Sequence, residues 1–507
     1  MKRISYIIIF LSIGLTSFAN NLSVRNGVIA NNKIIFEISW DNSWNFSSSG
    51  GSSDAVWLFL KGKEPDGIWT HILLSPDINC HTTESNILEL ELPDDCKGIF
   101  IQQKDGGAGK IDFSKIGITI DGTLSMYSEV RIFVIEMVHI LEGAFYLGDS
   151  ASISSFCDSQ SKPYLINDEK EITSSELRLY NPNKEFVPSQ IPDFIPETFP
   201  KGYKGFYCMK YEISQIQYAE FLNTLSYSQQ KTRTSYAPSS AIGTMVMVNS
   251  VQPDSSYRNS IAISRSGIDN QISALYGCDG NQNGLFDEGE DALNRAMNFL
   301  SWGDLSAYLD WACLRPLTEF EFEKICRGAL QEPVSGEYAW GTSFVTDADH
   351  SINDGTIFET VNDVVPPGYG LANHGNIITI SGWGLRGPLR TGFAAGTNST
   401  RLTSGSSYYG VMELSGNVWE MFVMAGDEGE QFSGNPGDGT LSETGDANQE
   451  GWGSPETANG VIYRGGAWNS TVSGSIGSWC DMAVSDRFYS HLRPVARRNT
   501  TGGRGGR

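Results

Sequence analysis

The sequence predicts an α+β protein in two parts: a β-sandwich-like region over residues 20–135, then a longer region, 136–507, in which short helices sit among irregular loops. Three features carry that expectation. Apolar and polar residues alternate with period two early in the chain, helix-start signals stand at Ser214 and Thr318, and the text around them is rich in Gly, Ser, Thr and Asn.

Residues 1–19 read as a signal peptide. Lys2 and Arg3 open it, an apolar run over residues 4–15 follows, and small residues end at Ala19. The run is shorter than the twenty or so apolar residues a membrane span needs. The mature chain is therefore expected outside the cytoplasm, secreted, periplasmic or at the cell surface, without a transmembrane segment. With 59 acidic against 36 basic residues the formal net charge is -23, which repels nucleic acid and anionic lipid and supplies carboxylate oxygens for hard cations.

In the first part, Phe36, Ile38 and Trp40 alternate with Glu37 and Ser39, and Ile116, Ile118 and Ile120 alternate again. Residues 55–60 are apolar on both faces, as a central strand would be. Turn signals at residues 47–53, Asp66-Gly67 and Gly106-Gly107 separate these runs into seven or so strands. Cys80 and Cys96 flank two short strand-like runs and are the expected local bridge in an oxidising compartment. The text changes character near Glu136. Beyond it, Ser214 with Gln217 and Thr318 with Glu321 fit the capping box. After Ser301, a helix places Trp302, Leu305, Leu309 and Ala312 on one face.

Asp279, Asn281, Asn283, Gly284, Leu285, Asp287 and Glu290 fit the pattern of an EF-hand-type calcium loop, an insertion over about residues 278–291. Oxygen donors alternate along it, Gly284 supplies the sharp turn, Leu285 offers a carbonyl, and Glu290 closes it. Phe286 would anchor it to a core.

Several segments occur in an order that resembles the formylglycine-generating enzyme (sulfatase-modifying factor) family, a variant of the C-type-lectin fold. They are Gly143-Ala144-Phe145-Tyr146-Leu147-Gly148, Lys210-Tyr211-Glu212-Ile213-Ser214, Leu314-Arg315-Pro316-Leu317-Thr318-Glu319, Tyr338-Ala339-Trp340-Gly341, Leu414-Ser415-Gly416-Asn417-Val418-Trp419-Glu420, Arg464-Gly465-Gly466-Ala467-Trp468 and the closing Gly503-Arg504. The resemblance implies calcium held by the side chains of Glu413 and Glu420 and the main-chain oxygens of Gly416 and Val418. It offers only a faint counterpart of a second such site, near Asn373 and His374. It also implies that Cys480 pairs with Cys326.

The family's oxidase chemistry uses copper on two cysteines that follow the Arg-Gly-Gly motif. The matching positions here are Ser470 and about Ser475, and a hydroxyl cannot replace a thiolate for Cu(I). Relatives that use iron hold it with histidines on an added helical domain; His71, His81, His139, His350, His374 and His491 include no pair at ligand spacing, although His71, His81 and His491 could meet in space. The expectation is a calcium-binding, copper-free module that recognises a protein or glycan outside the cytoplasm. Its candidate ligand residues are Trp468, Asn469, Ser470, Trp479, Asp486, Arg487, Tyr489, His491 and Arg493. The alternatives are a formylglycine-generating-type oxidoreductase with altered metal ligands and a structural surface component.

Overall fold

The structure is a computed structural model that describes residues 10–13, 21–30, 32–152, 154–180, 194–248, 257–375, 386–396, 398–470, 482–487 and 495–507. The chain is β-rich with four α-helices among the described residues, as an α+β reading requires.

The early alternation becomes strand β1 (Lys33–Asn45), whose Ile34, Phe36, Ile38 and Trp40 are all fully buried. It pairs antiparallel with β4 (Gly107–Thr119), which buries Ile116 and Ile118. The doubly apolar run becomes β2 (Ser53–Lys63), flanked by β3 (Ile99–Gln103) and β5 (Glu129–Ile140). All belong to one eleven-stranded sheet, and the contact between β1 and β2 in it is the single pair Asn45 and Ser53. The backbone of Phe10–Ile13, inside the expected signal peptide, adds a parallel edge to β5.

Period-two geometry explains why β2 is apolar throughout. Val56, Leu58 and Leu60 face a core made with Phe36, Ile38, Ile116 and Val130. Ala55, Trp57 and Phe59 face the opposite way and join the main core of the second region, with Tyr218, Trp302 and Trp311. The indole Nε1 of Trp57 donates to the Ala312 carbonyl at 3.0 Å. Glu136 lies within β5, paired with Val56, so the change in sequence character there is not a linker. The same strand runs on to pair with Phe206–Met209.

Four helices follow: α1 (Gln215–Leu222), α2 (Tyr227–Arg233), α3 (Trp302–Trp311) and α4 (Glu319–Arg327). Each opens with a closed capping box, at Ser214, Ser226, Ser301 and Thr318. Helix α3 is buried all round, not on one face only, because the sheet and the loops enclose it.

The described cysteines are all free thiols. Cys80, expected to bridge Cys96, has its Sγ 3.6 Å from Asp77, and the Cys96 Sγ lies 3.7 Å from the Asp94 carbonyl. Each thiol is turned to an acceptor in its own turn. Cys480 lies outside the described residues, and Cys326 is a buried thiol. No described helix is long and apolar enough to cross a membrane.

Candidate functional site

The family-like motifs converge on one buried frame of ion pairs. Glu319 and Glu323, one turn apart on α4, both meet Arg464, at 3.3 and 3.0 Å. Glu319 also takes Arg487 at 2.7 Å and the Ala425 amide at 2.9 Å; Glu323 takes Arg327 at 3.1 Å and the Gly148 amide at 2.7 Å. Burial works to raise the Glu319 carboxyl, but the two guanidiniums outweigh it and hold the group below the usual carboxylate range. Arg315 grips Glu321 with both ends of its fork, at 2.9 and 2.6 Å. The helix, the Arg-Gly-Gly segment and the tail are thereby fixed to one another. This places Arg487, a candidate ligand residue, inside the frame, while Asp486 accepts the Ala483 amide at 3.1 Å and its carbonyl receives Arg464.

Beside this frame the Gly416 to Glu420 turn is strapped on both sides by backbone. The Asn417 amide donates to the Asn373 carbonyl at 2.9 Å, and the Trp468 amide donates to the Asn417 carbonyl at 2.8 Å. Gly416, at φ 92°, cannot carry a side chain, since a Cβ would fall 2.7 Å from the Asn373 oxygen. Three buried carboxylates gather here, Glu212, Glu413 and Glu420, beside the guanidiniums of Arg504 and, next to Glu413, Arg390. Both Glu420 oxygens accept from Arg504. Glu413 accepts the Gly392 amide at 3.0 Å through Oε1, and its Oε2 is buried without a partner. Burial, the largest influence, pushes Glu413 up to about 8. Burial first, then the charges of Glu420 and Glu413, also push the Glu212 carboxyl well above the usual carboxylate range. Of the calcium set expected from the resemblance, Glu413 keeps an open oxygen, whereas both Glu420 oxygens are taken by Arg504. At the faint second site, Asn373 Nδ2 binds Asn417 Oδ1 at 2.9 Å and His374 contacts Asp347.

Ser470, the residue at the first copper-cysteine position, is buried, and its Oγ accepts the Ala467 amide at 3.0 Å. Its carbonyl receives the Gly375 amide at 2.7 Å. This hydroxyl closes a turn and offers no soft donor, so a Cu(I) site does not fit what stands here. Trp468 is buried, with its Nε1 donating to the Asn499 carbonyl at 3.1 Å and its ring 5.8 Å from Tyr257. Asn469 is half-buried and the more accessible of this group. Ser475, Trp479, Tyr489, His491 and Arg493 lie outside the described residues. His71 contacts Cys313 and the Lys97 carbonyl, whereas His81 binds the Ser75 carbonyl, so these two histidines serve separate contacts.

In the calcium-type loop, the Gly284 amide donates to Asp279, the Asn283 amide to Asn281 and the Leu285 amide to Asn283, at 3.3, 2.9 and 2.7 Å. Asp287 turns away to accept the Cys278 amide at 2.7 Å, and Glu290 is exposed. Among the described residues no three His, Cys, Asp or Glu side chains form a metal-holding cluster.

Sequence reasoning missed a cavity of about 530 Å³ between the sheet and α2, lined by Lys61, Trp69, Tyr227, Gln229, Asn270 and Trp311. The ammonium of Lys61, buried under it, donates to the Gly439 carbonyl at 2.6 Å, and burial lowers it to about 8. Lys61 was hidden in the sequence by its place at the end of an apolar strand.

No curated protein matches the chain. The description "sulfatase-modifying factor enzyme 1-like domain" matches residues 128–494, the span that contains the ion-pair frame, the strapped turn and the Arg-Gly-Gly segment. With most of its length matched, the chain belongs to the family of sulfatase-modifying factor enzyme 1-like, or formylglycine-generating-enzyme-like, proteins.

Proposed function

We propose that this family member is an exported, calcium-binding recognition module that does not carry out copper-dependent cysteine oxidation. The observation that carries the reading is Ser470: a buried hydroxyl, bonded to the Ala467 amide, occupies the position from which a thiolate would have to reach copper. The calcium part rests on the loop from Asp279, in whose first half backbone amides donate to the side-chain oxygens of Asp279, Asn281 and Asn283, the turn such a loop needs. The partner is a protein or a glycan outside the cytoplasm. Asn469, half-buried at the end of the Arg-Gly-Gly segment, is one candidate contact, and the cavity above Lys61, with indole, phenol and carboxamide groups on its wall, suits a sugar.

Copper titration of the purified full chain, joined to an oxidation assay on a cysteine-containing peptide, tests this reading. Absence of stoichiometric tight copper and of peptide oxidation is expected. One tightly bound copper per chain with turnover would overturn it in favour of an oxidoreductase with relocated ligands.

A further inference from the structure

We propose that the calcium-type loop seats its cation between the carboxylates of Asp279 and Asp291, with Asn281, Asn283 and the Leu285 carbonyl beside them, and that Asp287 and Glu290 stay outside the shell. This inference rests on the reading of the loop as a calcium site and changes which residue closes it.

The loop holds two carboxylates more than nine-tenths buried, Asp279 at 6 % exposure and Asp291 at 0 %. Each has one oxygen engaged by the loop itself. Asp279 Oδ2 accepts the Gly284 amide at 3.3 Å, and Asp291 Oδ2 accepts the Glu288 amide at 2.8 Å. The remaining oxygen of each, Oδ1 in both cases, is buried with no hydrogen-bond partner. Two neighbouring anions repel each other, and an orphaned buried acceptor costs roughly 1–3 kcal/mol. A divalent cation between them removes both penalties.

The other acidic residues are placed differently. Glu290 is exposed, and Asp287, in the left-handed region at φ 63°, is folded back onto Cys278. The main chain follows the same plan. A Cβ on Gly280 would fall 2.8 Å from the Asp291 carbonyl carbon and oxygen, so glycine there lets the two ends of the loop close. Asn281 and Asn283 each use Oδ1 for a backbone amide yet retain a second lone pair for a cation. Two carboxylates, two carboxamides and a carbonyl are an all-oxygen set, which selects a hard cation such as calcium.

Calorimetric titration of the chelator-stripped full chain with calcium chloride is the test, with Asp291→Asn, Glu290→Gln and Asp279→Ala in parallel. Asp291→Asn is expected to weaken the loop site about tenfold or more, and Glu290→Gln to leave it within about twofold. Weakening by Glu290→Gln with no change in Asp291→Asn would overturn this ligand assignment while leaving the calcium loop intact. Equal calcium uptake by wild type and Asp279→Ala, or none by either, would overturn the calcium reading itself. Glu290 is exposed, so its variant leaves the core untouched and is informative even if Asp291→Asn does not fold.

Discussion

At the scale of single residues, the carboxylates decide how the site region behaves. Glu420 is tolerated in the core because Arg504 covers both of its oxygens. Arg504→Met should therefore cost about 3–5 kcal/mol in urea unfolding, the penalty for an uncompensated buried charge, and adding Glu420→Gln should recover much of it. Glu413 has a different dependence. Its folded-state value is raised to about 8 from an ordinary 4.5, so the folded form binds its proton more tightly than the unfolded chain does. Its contribution is fully present below about pH 4.5 and is lost as the pH rises through about 8. In chelator, the unfolding midpoint of the wild type should fall between pH 5 and pH 8 by more than that of Glu413→Gln. Parallel curves would show that Glu413 stays ionised throughout.

Elements in this protein are short, and their ends matter more than their middles. Helix α4, Glu319–Arg327, has the capping box at Thr318 and Glu321 that its sequence announces. The Thr318 hydroxyl also donates to the Pro200 carbonyl at 3.0 Å. Thr318→Ala should lower stability by about 1–2 kcal/mol in denaturant titration, with no change in the helix content measured by circular dichroism. Boxes at Ser214 and Thr318 could be read because side chain and partner lie three residues apart; those at Ser226 and Ser301 came from the structure. The ion pairs from α4 to Arg464 and Arg487 could not, since they join residues more than a hundred positions apart and spacing carries no information about them.

For the whole molecule, the main consequence is that the two regions share a core. Trp57 is fully buried among residues of both. Trp57→Ala should cost about 3–5 kcal/mol and shift a single calorimetric transition, not split it into two. Deleting residues 20–135 would strip Phe59 and Phe133 from Trp311, so the remaining piece should aggregate or bind a hydrophobic dye. A soluble, cooperatively unfolding fragment would contradict the shared core. Cleavage at the proposed signal-peptide site predicts, by mass spectrometry, a mature chain that starts at Asn20, which would remove the Phe10–Ile13 edge from the sheet.

The sequence by itself determined the β-rich first region, the helix starts, the family and the absence of a thiolate at Ser470, because each is written in local order: period two, three-residue caps, motif succession, residue identity. Tertiary structure alone decided that β2 serves two cores, that Arg487 belongs to a buried frame, that Arg504 covers both Glu420 oxygens and that Asp291 is buried while Glu290 is exposed. The physical reason is common to all four. Burial and charge compensation depend on which distant segments meet, and a side chain's chemistry is set by that company as much as by its own type.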